Sequence, residues 1–249
     1  MPIPPISTIS PPIYYWGTPV VLITTENEDG SFNIAPMSSA WWLGNRCMLG
    51  LGKDSKSTIN LIRTKQCVLN MADDTMTGAV NSLALTTGSK EMLTATEDMG
   101  YLYFKRSHGY QYVKDKFGRS GLTPLASNVV RPARIAECPA QMEAELSGVY
   151  NMMDDVDVRG FIALEVKVVK THVHDSIRWA GYPNRIDPDK WHPLIMSFAQ
   201  FYGLKYTKVD KSTVTKIDIE EYRSFANPTD DAASIEDGVM DETQTNGVH

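Results

Sequence analysis

The segment NIAPMSSAWWLGNRCMLGLGKDSKSTIN, residues 33–60, decides how this chain is read. It opens as a Pro-interrupted, Ser-rich strand (Asn33–Ser39) and runs into the paired Trp41–Trp42. It then passes through a Gly-x-Gly strand end at Gly50–Gly52. Asp54-Ser55-Lys56-Ser57-Thr58 follows, with hydroxyls around one lysine where a helix should start. A helix N-terminus leaves its first backbone N–H groups unpaired and carries partial positive charge. A phosphate monoester, with about −1.5 to −2 charges at neutral pH, suits such an end. The competing reading is an ordinary N-cap beside a solvated lysine. A cap needs one hydroxyl, whereas Ser55, Ser57 and Thr58 together offer three.

Two other phosphate motifs are approximated and broken. Gly50–Ser57 spells G-L-G-K-D-S-K-S, a P-loop spacing in which Ser55 replaces the second glycine. The same residues approach a dinucleotide fingerprint, with Ser55 for the third glycine and Asp73 in the acidic position. Serine resists the backbone geometry that glycine permits. No clear series of alternating strands and helices follows either match.

Working outward, the 249 residues are 42% hydrophobic and 22% charged, enough to bury the core of one domain. No run of eighteen apolar residues suggests a membrane span. The first twelve residues hold five prolines and no basic stretch leading into an apolar one, so they do not read as a signal peptide. Cys47, Cys67 and Cys138 are widely spaced, odd in number and without a C-x-x-C, which predicts reduced thiols and a cytoplasmic setting. Cys47 and Cys67 lie in apolar strand-like runs and read as small buried residues. The net charge of −6 is matched by Asp230, Asp231, Glu236, Asp237, Asp241 and Glu242 in a tail without Lys or Arg. The body is therefore near neutral and gives no electrostatic footprint for nucleic acid. The tail reads as disordered and solubilising.

The expected organisation is a Pro-rich arm over residues 1–16, a body over 17–223 and the acidic tail over 224–249. Strands are expected over Val20–Thr25, Phe32–Leu43, Arg46–Leu51, Gln66–Met71, Ala140–Tyr150 and Phe161–Val173. Asp-Gly at Asp29–Gly30 marks the first hairpin, and Pro36 implies an edge strand or a bulge. A helix is expected over Ser57–Thr64 with Ile59 and Ile62 on one face, and another over 74–85. Residues 88–125 read as a long mixed connection, and 180–206 as irregular and aromatic. The balance is mainly β and points to a closed antiparallel barrel with a few interposed helices. His172 and His174 stand two apart on a strand, a metal-like spacing. Two ligands with no completing Cys, Asp or Glu do not make a metal site. Trp41 and Trp42 should face opposite sides of a regular strand, one packed and one lining a groove.

Three runs carry a resemblance: N-x-A-P-M-S-S-A-W-W (Asn33–Trp42), G-L-G-x-x-S-K-S-T-x-N (Gly50–Asn60) and C-V-L-N (Cys67–Asn70). Later blocks agree: R-P-x-R-I-A-E-C-P (Arg131–Pro139), P-N-R-I-D-P-D-K-W-H-P-L-I-M-S-F (Pro183–Phe198) and F-Y-G-L (Phe201–Leu204). Over roughly residues 12–223 the chain resembles the flavin reductase-like, FMN-binding split-barrel family, in its flavoredoxin-like branch. The resemblance implies a six-stranded antiparallel Greek-key split barrel with flanking helices, assembled as a homodimer, with FMN in a groove near the subunit interface. Pro36, Met37, Ser38, Ser39, Ala40 and Trp41 would run along the flavin ring, with Asn33, Gly52 and Asn60 nearby. Ser55, Lys56, Ser57 and Thr58 would hold the phosphate. It further implies an NAD(P)H-dependent oxidoreductase that reduces flavin and supplies reduced flavin or electrons to a partner such as a flavin-dependent oxygenase. A flavoredoxin-like electron carrier without nucleotide turnover is one alternative. Another is a flavoenzyme acting on a small organic substrate, its pocket walled by residues 100–118 and 180–206. Flavin performs the electronic work, so no catalytic triad or carboxylate pair is required. His192, in Trp191-His192-Pro193, is the candidate catalytic residue. The competing reading makes it a packed structural histidine. His108, in a Tyr- and Lys-rich loop, is a weaker substrate contact.

Overall fold

The structure, a computed structural model, describes residues 4–153, 155, 160–205, 209–210 and 212–222. The acidic tail 224–249 lies outside the described residues, as do Asp154 and Asp157 of the loop between the last two long strands.

One antiparallel sheet organises the chain. Its strands are β1 (Val21–Glu26), β2 (Phe32–Met37), β3 (Ala40–Leu43), β4 (Arg46–Gly52), β5 (Gln66–Met71), β6 (Ala140–Asn151) and β7 (Phe161–Val173). They lie in the order β2-β1-β5-β6-β7-β4-β3. β2 and β3 are the two halves of the expected Phe32–Leu43 strand, yet they occupy opposite edges. The run leaves one edge at Ser38–Ser39 and joins the other, where the Gly50 amide donates to the Ser39 carbonyl oxygen at 2.7 Å. Six runs of chain thus give seven strands, and the crossing run curls the sheet into a split barrel. Pro36 sits on edge strand β2, where the missing N–H leaves no ladder bond unmade.

Along β4, Cys47, Leu49 and Leu51 are buried while Arg46, Met48, Gly50 and Gly52 are less so, the period of two that a half-buried strand requires. With Val21, Ile23, Leu69, Leu164 and Val166 they fill the barrel interior. β1 is buried on both faces. Val20, Leu22 and Ile34 turn outward into a second core against Val80, Leu83, Phe117 and Leu194. Helices α2 (Thr77–Ser82) and α4 (Lys116–Ser120) cover that side, with α3 (Tyr101–Ser107) between them in sequence.

Several elements depart from expectation. Trp16–Pro19, at the arm's end, is a strand paired with Ile195–Ser197, which forms a hairpin with Gln200–Tyr202 inside the region expected to be irregular. The 74–85 helix is a 3₁₀ turn (Asp74–Met76) followed by the short α2. Most informative is α1 (Lys56–Thr64). Its buried residues are Ser57, Thr58, Asn60 and Leu61, while Ile59 and Ile62 face outward. Hydrogen bonding decided this rather than hydropathy. Thr58 Oγ1 donates to the Gly52 carbonyl at 2.8 Å. Asn60 Nδ2 donates to Thr25 Oγ1 at 3.1 Å and Asn27 Oδ1 at 2.8 Å. Buried donors partnered in this way avoid the desolvation penalty, while Asn60 Oδ1 is buried without a partner among the described residues.

Candidate functional site

A cleft of about 540 Å³ opens where β2, the start of α1, the α2–α3 region and the 195–202 hairpin meet. Its floor on the barrel side is Ala35, Pro36, Met37 and Ser38. Because β2 pairs with β1 alone, backbone groups along this edge lack sheet partners and remain available to a ligand. The walls are largely apolar, from Val80, Leu83, Leu85, Met196 and Phe201. Tyr101 closes one end. Its ring lies against Gly52, where an added Cβ would come within 3.0 Å of it.

The polar end is the start of α1. Ser55 is the N-cap, its Oγ accepting from the Thr58 amide at 3.2 Å and its carbonyl from the Ile59 amide at 3.0 Å. The two earlier amides of the first turn have no intrahelical acceptor. Ser57 is 2% exposed and lines the cleft. Asn33 Nδ2 donates to Ser57 Oγ at 3.0 Å, which leaves the serine's own proton free to donate elsewhere. Gly88 permits this contact, since a Cβ there would sit 2.6 Å from Asn33 Oδ1.

The expected residues separate into groups. Pro36, Met37, Ser38, Gly52, Ser55 and Ser57 line the cleft together. Thr58 and Asn60 are fully buried beneath it and committed to the bonds described above. Lys56 turns aside. Its Nζ is 2.6 Å from Glu28 Oε2, and with Asn33 it lines a separate hollow of about 210 Å³. Ser39 Oγ bonds the Tyr15 hydroxyl at 3.0 Å, and Ala40 is in the barrel core. Trp42 packs against that core while Trp41 is 58% exposed, the opposite-face arrangement expected of the pair, but Trp41 does not line the cleft. His192 does not line it either. Its carbonyl accepts from the Asp74 amide at 3.0 Å, beside the Asp73–Pro193 bridge.

Sequence reasoning missed the cations. Lys105 on α3 and Lys116 on α4 both line the cleft and are 6% and 3% exposed. Lys116 Nζ donates to the Ile34 carbonyl at 2.8 Å. Burial, and then the neighbouring Lys105 ammonium, pushes Lys116 down to about 7. Burial also lowers Lys105, with Asp54 opposing, and its Nζ stands 4.7 Å from the centre of the Tyr101 ring. Only the aromatic density around 100–118 hinted at a wall here. Nothing in the local pattern marks a lysine as buried.

The remaining titratable groups are structural. Glu143 is buried and accepts from the amides of Asn128 (2.9 Å), Val129 (2.7 Å) and Val130 (3.1 Å), with His172 Nε2 at 2.6 Å. His174 Nε2 lies 2.9 Å from the Ala136 carbonyl. His108 Nδ1 lies 2.8 Å from the Phe104 carbonyl oxygen, and its ring stacks on Phe104. The three cysteines are free and buried. Among the described residues no group of three or more His, Cys, Asp or Glu is placed to hold a metal. Among the same residues no helix is long and apolar enough to cross a membrane.

An antiparallel sheet curled into a barrel and left split between its two edge strands is similar to the fold of split-barrel flavin reductases. The chain belongs to the flavin reductase-like domain family, whose model matches residues 14–205. It is 38% identical over 196 residues to the uncharacterized protein YdfE of Bacillus subtilis (strain 168), covering 79% of this chain and 88% of YdfE. In fold it is similar to the flavoredoxin of Desulfovibrio vulgaris (Miyazaki F), with a TM-score of 0.64 at 16% identity, covering 86% of this chain and 100% of that one. It is also similar to nitrilotriacetate monooxygenase component B from Bacillus cereus, with a TM-score of 0.59 at 18% identity over 78% and 88% of the two chains.

Proposed function

We propose that this protein binds FMN in the cleft and uses NADH or NADPH to reduce flavin, passing reduced flavin or electrons to a partner. The observation that carries the reading is the pairing, within one cleft, of a free helix start with an apolar trench floored by an unpaired strand edge. The residues fit the cofactor. The first-turn amides of α1 with Ser57 suit a phosphate, Pro36 and Met37 suit the face of a flat ring, and the open backbone groups of Ala35–Ser38 suit its polar rim. When bound, FMN would supply the hydride-accepting chemistry. The chain's own part is to bind and orient the ring, to exclude water with Met196 and Phe201, and to present fixed backbone donors where negative charge develops.

Exposed apolar side chains on the sheet, among them Trp41, Leu43, Val149, Tyr150 and Phe161, support a homodimer. Component B of a monooxygenase among the fold relatives supports a flavin-dependent oxygenase as the electron acceptor. Free, buried thiols support a cytoplasmic setting. His192, which does not line the cleft within one chain and whose carbonyl holds the Asp74 amide, fits a structural role.

The test is direct. Purified protein should be yellow or turn yellow with added FMN, and should release FMN on denaturation. Stopped-flow mixing with NADH and NADPH should show rapid oxidation when free FMN is present. Tight FMN without nucleotide turnover would favour an electron carrier, and a colourless protein that ignores FMN would defeat the reading.

A further inference from the structure

The cleft contains two ammonium groups that the proposal above leaves unused. Lys105 and Lys116 come from different helices of the excursion outside the barrel, yet both side chains sink more than nine-tenths of their surface into the same cleft. Lysine almost never does this without a partner. Among the described residues neither has a carboxylate within ion-pair distance. Lys116 uses one of its three N–H donors, on the Ile34 carbonyl. Lys105 rests over the Tyr101 ring, and among the described residues its Nζ has no hydrogen-bond or ion-pair partner. Asp54, next to the α1 cap, attracts Lys105 from beyond ion-pair reach, while the two lysines repel each other. Two buried like charges facing one cavity are destabilising on their own, and an anion between them reverses the sign of that interaction. The surrounding groups add donors, since Ser57 has a free hydroxyl proton and α1 presents its positive end to the same space.

We propose that Lys105 and Lys116 form an oxyanion subsite of the cleft, two ammonium groups that together hold one compact phosphate or carboxylate. The anion can come from two sources: the phosphate of FMN, or the acid group of a second small molecule bound beside the flavin. In the first case the subsite rests on the FMN reading. In the second it stands without it.

The experiment titrates the full-length wild type, Lys105→Met, Lys116→Gln and the exposed-lysine control Lys114→Met. FMN and riboflavin, which differ only in the phosphate, are followed by fluorescence. Inorganic phosphate and benzoate are followed by calorimetry. Each buried-lysine variant should bind the oxyanion at least tenfold more weakly, while riboflavin binding is unchanged and Lys114→Met behaves as wild type. Loss of FMN affinity assigns the subsite to the cofactor. Unchanged FMN with weakened phosphate or benzoate assigns it to a second ligand. Lys105→Met removes a buried charge that has no ion pair and should melt no lower than wild type; with that melting temperature measured, weaker binding by that variant is not misfolding even if Lys116→Gln folds poorly. If FMN, phosphate and benzoate all bind Lys105→Met as they bind wild type, the subsite does not exist. If wild type binds neither flavin but binds phosphate in a lysine-dependent way, the FMN reading fails and the subsite survives.

Discussion

Raising the pH from 7 to 9 should stabilise this protein, and Lys116 should be the reason. In the native chain burial, with Lys105 beside it, brings the Lys116 ammonium to about 7, against an ordinary value of 10.5. Between those values the unfolded chain carries a proton that the native chain lacks. Stability therefore rises with pH across that window, and below it the full penalty of a buried charge applies. Linkage over the two pH units amounts to about 2 kcal/mol, or roughly 4–8 °C in melting temperature for a chain of this length. Lys116→Met removes the titrating group. It also leaves the Ile34 carbonyl without its donor, a loss of about 1 kcal/mol that does not depend on pH. The assay is urea unfolding of both proteins, without ligand, at pH 6, 7, 8 and 9. The wild-type midpoint should gain steadily on that of the variant from pH 7 to 9, while both are pulled down near pH 9 by the three thiols, which ionise in the unfolded chain and stay protonated when buried. Parallel curves would show that Lys116 is protonated and solvated in the native protein, and that its burial has been misjudged.

Other perturbations test other parts of the structure. The Cys47 thiol is pushed up to about 12 by burial, and Cys67 and Cys138 are raised by the same cause. Native protein at pH 8 should thus leave a thiol reagent unreacted, and urea should release three equivalents. Glu143 is held below the ordinary carboxyl value. Burial opposes this, but three backbone donors and His172 outweigh it. Its contribution is present above about pH 4.5 and lost as pH falls through the lowered native value. Glu143→Gln should lower stability by about 2–4 kcal/mol at pH 7 and flatten the acid limb of the stability curve. Gly52→Val should push Tyr101 off the strand end and weaken FMN binding without unfolding the barrel, readable by titration beside circular dichroism. Lys56→Ala breaks a pair with Glu28, whose carboxylate is more than half exposed, and should change stability by about 1 kcal/mol or less. Loss of most FMN affinity in that variant would return Lys56 to the phosphate site.

Much of this was legible from residues 33–60. Period-two burial along Arg46–Gly52 and the edge position required by Pro36 follow from local rules that need no tertiary partner, as does the Asp-Gly hairpin just before this segment, whereas which of the three hydroxyls caps the helix, Ser55, was settled by the fold. The same segment named six residues that the fold brings to one cleft. The rest was settled at long range. Ile59 and Ile62 share one face as the sequence spacing requires, but that face is turned outward, because Thr58 and Asn60 are held inward by hydrogen bonds to Gly52, Thr25 and Asn27. Lys56 reads from the sequence as the phosphate's counter-ion, whereas in the structure the β1–β2 hairpin sets Glu28 against it. Lys105 and Lys116, on short helices far along the chain, gave no local sign of being buried. Sequence by itself determined the six long strand runs of the main sheet and the helix start that follows Asp54, because each is written in the backbone preferences of adjacent residues. Tertiary structure alone decided which charges face the cleft, because a side chain's charge is used or neutralised by whatever the fold sets beside it, however distant in sequence.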